Sequence, residues 1–409
     1  MQLKFMQKDK PSDEIRSSFA GIFLVANTFV WYLYSCRLLS EVTLNGEFSS
    51  FQALIVWSMT ILGTALASVF GFLISNNVKK SDFIRYWVLA GIPLSLIPAV
   101  KDITPIFNSM FFFSFAGIYF GLGMPVSLAY FASLTKENNR SKLGGLTFLA
   151  IFIGVLILGA LGIKDPQLNA IVLAVVKIIG LAAILNIKPL ENVNTQKDVT
   201  YKEVFKNKTF LLYFVPWMMF STANYIAAPI VSQIFQPSLF ESFMMTENIL
   251  AGVFAVVSGF VADYVGRRRL VLAGFILLGV GYASLGLFSE NIVGWWFYTI
   301  TDGVAWGIFY TIFLMTIWGD IAGNSNSEKF YAIGYLPFLF SILTQLSMGT
   351  TISSTINSSA IFSFTSLFLF IAVLPLAYAP ETLPFQILRK RELESYIEKA
   401  QRIKNSKGT

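Results

Sequence analysis

The chain has 409 residues, of which 55% are hydrophobic, 16% aromatic and only 13% charged. A soluble domain carries about 25% charged residues, so this composition excludes a water-covered surface over a chain of this length. With one cysteine, no histidine and a net charge of +7, disulfide frameworks and most thiolate or imidazole metal sites are excluded as well.

The elements follow in chain order. Residues 17–36 are the first charge-free run. It is longer than the apolar core of a cleaved leader and no small-residue cleavage site follows, so a retained span is expected; an uncleaved signal anchor would give the same topology. Further runs without Asp, Glu, Lys or Arg cover 48–78, 86–100, 103–135 and 143–163, and 166–187 holds one charge, Lys177. After a polar middle stretch come 209–240, then 248–262 behind Glu247, then 270–289, and 291–319 with a single acid, Asp302. Residues 330–380 carry no charge and suffice for two spans around the polar turn SSTINSS at 353–359. About 20 apolar residues cross a hydrocarbon core of ~30 Å, which makes twelve spans. Segments of this length read as helices, since barrel strands need only ~10 residues. In the tail, Leu393, Tyr396, Ile397, Ala400 and Ile403 have helical spacing opposite a charged face, which fits an interfacial helix or a solvated one.

Charge sets the expected orientation. If both ends lie on one face, every one of the 30 Lys and Arg falls on that face except Arg37, Lys101, Lys164 and Lys177. The positive-inside rule then places both termini and the middle loop in the cytoplasm. The basic balance is thus an orientation signal, and nucleic acid is not the expected partner. The expected organisation is all-α: an N-terminal six-helix bundle (1–187), a cytoplasmic linker with a short amphipathic helix (188–209), a C-terminal six-helix bundle (210–384) and a cytoplasmic tail helix (385–409).

Two internal matches indicate a doubled unit. GFLISNNVKKS (71–81) follows span 2 and GFVADYVGRRR (259–269) follows span 8. Gly117-x-x-x-Gly121 in span 4 answers Gly303-x-x-x-Gly307 in span 10, and small residues at that spacing let membrane helices approach closely.

Twelve helices in two pseudo-symmetric halves, with a Gly-x-x-x-Asp-x-x-Gly-Arg-Arg-Arg turn, resemble the major facilitator superfamily of secondary transporters. Ala379-Pro380-Glu381-Thr382-Leu383 and the loop GDIAGNSNSEKFYAIG (319–334) suit the same resemblance. It implies a cytoplasmic gate. Gly259 would admit a neighbouring helix and Gly266 a tight turn. Asp263 would bond backbone N–H groups at the start of span 5 near Gly144. Arg267 and Arg268 would meet acids at helix ends, with Asp320 and Glu381 the best candidates. A bare positive-inside role for Arg267–Arg269 is the alternative. In the first half Ser75 and Val78 replace the acid and the second glycine, so a weaker latch is expected there.

The resemblance also implies that spans 1, 4, 7 and 10 surround a central cavity. Asp302 is about the eleventh residue of span 10, hence about 15 Å deep and near the midplane. A charge there is costly and is a functional candidate by default. The expected solute-binding set is Asp302, Trp306 and Tyr310 on span 10, Asn27, Trp31 and Tyr34 on span 1, and Asn224 and Tyr225 on span 7. Glu247 on span 8 and Gln345 on span 11 complete it. Many proton-coupled members of the superfamily that this chain resembles carry a basic residue within span 4, and here Phe107 to Leu134 holds none. Uniport and coupled transport both stay open; if transport is coupled to protons or sodium, Asp302 first and Glu247 second are the candidates. Helix packing or satisfied interhelical hydrogen bonds are the alternative for each polar residue alone. For Lys177, a structural pair or partial snorkelling is favoured over solute contact. Arg37 and Glu41 have the spacing of a local ion pair.

The expected function is secondary transport of a small polar or amphipathic solute by alternating access, by a monomer in a microbial plasma membrane, with lipid and solute as partners and no cofactor or metal. A transport-inactive receptor or scaffold of the same fold is the alternative. No catalytic constellation is visible in the sequence, so an enzyme is not expected.

Overall fold

The structure is a computed structural model. The residues it describes are 11–45, 48–75, 78–185, 198–234, 237–355 and 357–384, with 386, 387, 389, 393, 396 and 397 of the tail. Residues 186–197 of the middle stretch, Asn76 and Asn77 of the first-half turn, and most of the expected tail helix lie outside the described residues.

Each apolar run becomes a helix, because a segment without water must close its own backbone hydrogen bonds. Twelve helices are long and apolar enough to cross a membrane. We label them α1 (Pro11–Asn45), α2 (Ser50–Phe70, continued by Phe72–Ser75), α3 (Lys80–Val100), α4 (Ile106–Leu134), α5 (Arg140–Ala160) and α6 (Pro166–Leu185). Then follow α7 (Lys208–Ile234), α8 (Pro237–Val265), α9 (Arg267–Leu287), α10 (Ile292–Ala322), α11 (Glu328–Thr355) and α12 (Ser358–Tyr378). Among the described residues there is no β-strand. The ends are set by local chemistry. Ser49 and Gln52 form a reciprocal capping box at α2, and Thr200 and Glu203 do the same for a short helix, Tyr201–Lys206, in the polar middle stretch. Gly266 alone separates α8 from α9, at φ 110°, a conformation that strains any residue with a Cβ.

The chain divides into two compact units. The first comprises Met1–Thr135 and Ala150–Gln196, the second Lys136–Leu149 and Lys197–Thr409. The opening of α5 therefore belongs to the second unit, although it precedes the middle stretch in sequence. Within the first unit α2 packs on α4, α3 on α6 and α4, and α1 on α4 and α6. Within the second, α8 packs on α10, α9 on α12 and α10, and α7 on α12 and α11. The pairings 2–4, 3–6, 3–4 and 1–6 thus recur as 8–10, 9–12, 9–10 and 7–12.

The repeated glycines explain the closest of these contacts. A Cβ on Gly117 would stand 2.2 Å from the Thr60 carbonyl oxygen, and one on Gly121 2.3 Å from that of Thr64. On α10, a Cβ on Gly303 would meet Leu250 Cβ at 2.8 Å and the Glu247 carbonyl oxygen at 2.9 Å, and one on Gly307 the Phe254 backbone at 2.7 Å. Van der Waals contact, not a hydrophobic difference from lipid, drives such approach in a bilayer.

Burial separates inner helices from outer ones. The most apolar windows of α1, α4 and α10 are 72%, 72% and 83% buried, against 28% for α5. The outer faces expose Phe111, Leu156, Leu168, Val253, Leu367 and Leu374, a surface suited to acyl chains. An aromatic core fills the second unit, where Trp217 stacks on Phe313 at 4.7 Å and Phe220 packs against Phe309 at 4.6 Å.

Candidate functional site

Asp302 is buried on α10, one turn beyond Tyr298. The Tyr298 hydroxyl lies 2.9 Å from Asp302 Oδ2 and 3.2 Å from the hydroxyl oxygen of Tyr282 on α9. Tyr282 donates to Asn224 Oδ1 on α7 at 2.7 Å. Asp302 Oδ1 is buried without a hydrogen-bond partner, and among the described residues no Lys or Arg pairs with this carboxyl. All four groups in the row, Asn224, Tyr282, Tyr298 and Asp302, are buried. Gly303 brings α8 against this turn at Glu247, so a second acid stands beside the first on the neighbouring helix. Glu247 itself is half-buried.

An aromatic wall follows on the same helix. Trp306 meets Tyr225 edge-on with centroids 6.4 Å apart and Tyr310 at 4.8 Å, and Tyr310 stacks on Phe148 at 4.7 Å. Phe338 on α11 closes on Tyr225 at 5.6 Å and on Trp306 at 6.4 Å. From Tyr310 to Thr316 the helix widens to a π-helical segment, in which Thr316 Oγ1 donates five residues back to Thr311 O at 2.7 Å. Thr311 Oγ1 reaches across to Ala255 O on α8 at 2.8 Å. Such segments cost regular hydrogen bonding and concentrate at functional sites. Gln345 is half-buried on α11 and shares no hydrogen bond with this group. Asn248 is exposed, its amide donating to Met244 O within its own helix.

The first-unit candidates are occupied otherwise. Asn27 Nδ2 donates to Val176 O at 2.6 Å, Trp31 Nε1 to Ser95 Oγ at 2.8 Å, and the Tyr34 hydroxyl to Asn169 Oδ1. All three bonds tie α1 to α3 or α6, which is helix packing. Arg37 pairs with Glu41 at 2.9 Å. For Lys177, where a structural pair or partial snorkelling is expected, the structure shows neither an ion pair nor a head group reaching the surface. Its ammonium is fully buried, has no hydrogen-bond partner, and lies over Trp31 and Trp87 at 4.8 Å each and over Tyr119 at 5.1 Å. The rings supply a negative π face to the cation.

A second constellation closes one end of the second unit. Asp263 accepts from the backbone N–H of Ser141 at 3.3 Å and of Lys142 at 2.8 Å, the first turn of α5, where the helix dipole favours an anion. A Cβ on Gly259 would stand 2.5 Å from Ser141 O. Arg267, fully buried, reaches Asp263 Oδ1 at 3.1 Å, Asp320 Oδ2 at 3.0 Å and Ser141 Oγ at 3.1 Å, and donates to Glu137 O. Arg140 pairs with the other oxygen of Asp320. Glu381 caps the start of α9, accepting from the N–H of Arg267 at 2.9 Å and of Arg268 at 3.1 Å, and Arg268 donates to Ala377 O. A Cβ on Gly266 would lie 2.4 Å from Glu381 Oε2. The acids Asp263 and Asp320 and the cations Arg140 and Arg267 thus share one interior, with Glu381 and Arg268 half-buried at its edge.

The pairing of helices, the glycine contacts and this charged turn can be set beside known proteins. The model of the Major Facilitator Superfamily matches residues 17–317. The chain belongs to the Major Facilitator Superfamily. Structures of superfamily transporters share its fold. The proton:xylose symporter XylE bound to 6-bromo-6-deoxy-D-glucose superposes with a TM-score of 0.67 at 14% identity, over 91% of this chain and 97% of that one. The transporter FucP gives 0.70 at 10% identity, over 88% and 98%. The human organic anion transporter MFSD10 gives 0.64 at 15% identity, over 90% and 100%. A search of curated proteins returns no match. As a superfamily member the protein is a multi-pass membrane secondary transporter.

Several residues of these two groups stand outside the motifs legible in the sequence. Arg140, Ser141 and Lys142 meet the charged turn from α5, yet only Gly144 marked that helix start. Tyr298 stands four residues before Asp302 and so shares its face, a signal within reach. Tyr282 sits among apolar residues of α9 with nothing local to mark it.

Proposed function

We propose that the protein carries a small polar solute by alternating access, with Asp302 as the ion-coupling acid and a proton as its ion. The observation that supports this reading is the carboxyl itself: buried, held by one tyrosine hydroxyl, with one oxygen unpartnered and no basic side chain to neutralise it. An ionised carboxylate left alone in such a place costs several kcal/mol. The acid therefore needs a proton, a cation or a polar solute during part of its cycle. Glu247 adds a second acid and no compensating base, which favours exchange with protons over a standing ion pair. Trp306, Tyr225 and Tyr310 offer flat amphipathic surface beside it, suited to a solute with both polar and apolar edges. The cytoplasmic placement of both termini rests on the positive-inside bias.

The charged turn serves as the latch in this reading. Contacts of Asp263 and Arg267 with α5 hold one closed state, and their release permits the other. The solutes for a first screen are those named for the neighbouring transporters: xylose for XylE, fucose for FucP and organic anions for MFSD10. Purified protein in proteoliposomes is expected to show counterflow of at least one labelled solute, with accumulation driven by a pH gradient and not by a sodium gradient. In Asp302→Asn, driven accumulation falls about 5-fold or more, the lower range of a coupling free energy between sites, while counterflow persists. Absence of counterflow for every solute would favour a transport-inactive role. Driven accumulation left intact in Asp302→Asn would remove the acid from the mechanism.

A further inference from the structure

The row Asn224–Tyr282–Tyr298–Asp302 contains a count that its geometry forces. It has three contacts, at 2.7, 3.2 and 2.9 Å, and each needs one proton between its two heavy atoms. The two phenols supply two. The third has to come from an end of the row. If Asp302 is protonated, it donates to Tyr298, Tyr298 to Tyr282, and Tyr282 to Asn224 Oδ1. If Asp302 is ionised, Tyr298 donates to it and Tyr282 to Tyr298, and Asn224 must turn its amide so that Nδ2 donates to Tyr282. A phenol has one O–H, and an amide offers an acceptor on one side and donors on the other. A proton on Oδ1 would let Oδ2 go on accepting from Tyr298, but that oxygen is buried without a partner and the O–H would be left unsatisfied. With the proton on Oδ2 or absent, no other arrangement fills all three contacts.

We propose that this row is a proton-polarity relay: gain or loss of a proton at Asp302 reverses every bond in it and turns over the side-chain amide of Asn224 on α7. This inference rests on the assignment of Asp302 as the coupling acid. It adds Tyr298 and Tyr282 as positioning residues and gives Asn224 a specific duty. α7 receives the state of the acid as a choice between presenting an amide donor and presenting an amide oxygen. A polar solute on α7 is thereby met by different chemistry before and after protonation, without any change in the surrounding helices. Other titratable groups face the acid: Glu247 on α8, Tyr225 on α7 and, on its own helix, Tyr310. None of them takes part in the row's hydrogen bonds, and among the described residues no Lys or Arg does.

The proton itself is the probe, so the test needs no identified solute. Infrared difference spectra of the reconstituted protein are recorded against pH, and the protonated-carboxyl band of Asp302 is assigned by its loss in Asp302→Asn and its retention in Glu247→Gln. The side-chain amide band of asparagine is expected to change in step with it in the unmodified protein, and to lose that change in Asn224→Leu. Asn224→Leu removes the acceptor and the donor together, whereas an ionised Asn224→Asp keeps acceptors only and so holds the row in the polarity of the protonated acid. Asn224→Asp is expected to raise the midpoint of the Asp302 band by about half a pH unit, roughly threefold in proton affinity. In the Tyr282→Phe background, which cuts the row but leaves the Tyr298–Asp302 contact, that displacement falls to that of a distant charge. Should the Asp302 band titrate while Asn224→Asp leaves it in place, or shifts it equally with and without Tyr282, the relay is overturned and the coupling acid stands. Should no Asp302 band titrate at all, both fall together. If Asn224→Leu does not fold, the joint change of the two bands in the unmodified protein decides the matter.

Discussion

Lys177 isolates a single energetic contest. Three rings surround its ammonium at 4.8 to 5.1 Å, and a desolvated cation–π contact is worth about 2 kcal/mol or more. Against that stands the removal of an ammonium from water, a cost of several kcal/mol even after relaxation. The desolvation wins, because no acceptor completes the site. Lys177→Met keeps length and fills the same space with apolar atoms, so it is expected to stabilise the protein by about 1–3 kcal/mol, within the range seen when buried charges are replaced by apolar groups. The check is the thermal unfolding midpoint in detergent, which rises. A midpoint several degrees lower would show that the rings outweigh desolvation. A raised midpoint joined to lost transport would mark Lys177 as kept for activity at the expense of stability. The oddity of this residue was legible from one charge in an apolar run; its surroundings were not. Trp31, Trp87 and Tyr119 lie on three different helices, and nothing in linear spacing brings them together.

At the scale of elements, the glycine pairs turn a pattern into a graded expectation. Gly117 faces a carbonyl oxygen at 2.2 Å from a built Cβ, whereas Gly303 faces a side-chain Cβ at 2.8 Å and a carbonyl at 2.9 Å. Backbone cannot retreat as a side chain can. Gly117→Ala should therefore lower the thermal midpoint more than Gly303→Ala, with overpacking costs of about 1–3 kcal/mol; equal midpoints would show that the α2–α4 contact relaxes freely. These pairs were readable because close approach demands glycine at a fixed spacing. The helices themselves were readable for a similar reason, since length and apolarity decide membrane crossing. The π-helical segment Tyr310–Thr316 was not. Its widening answers to Thr311 bonding α8 and Thr316 bonding back to Thr311, and a threonine in an apolar run looks the same whether or not it does this. The same holds for Asn27, Trp31 and Tyr34. Their depth suggested a cavity, and their hydrogen bonds to α3 and α6 depend on partners that hydropathy does not reveal.

For the whole molecule, the asymmetry between the two copies of the charged turn has a measurable result. Asp263 holds two backbone N–H groups and Arg267, while Ser75 in the first copy is a short hydroxyl bonded to Phe72 O at 3.4 Å within its own helix. Hydrogen bonds to a charged group are worth about 1.5–3 kcal/mol. In a Cys36→Ser background with a Ser327→Cys reporter, which is buried just before α11, Asp263→Asn is expected to speed thiol labelling roughly tenfold, the equivalent of ~1.4 kcal/mol. Ser75→Ala should leave it nearly unchanged, and equal acceleration in both would remove the asymmetry from the account. The doubled architecture and the intact turn were legible from repeats and residue types. The partner residues Arg140, Ser141 and Lys142 were hidden because helix starts of this kind are polar for many reasons. Their membership of the second unit bears on how the gene can be divided. A split at the polar middle stretch would hand Arg140 and the α5 start to the first polypeptide. The second polypeptide, made alone, would then have to seal Asp320 and Arg267 into its interior with part of their charge complement on another molecule.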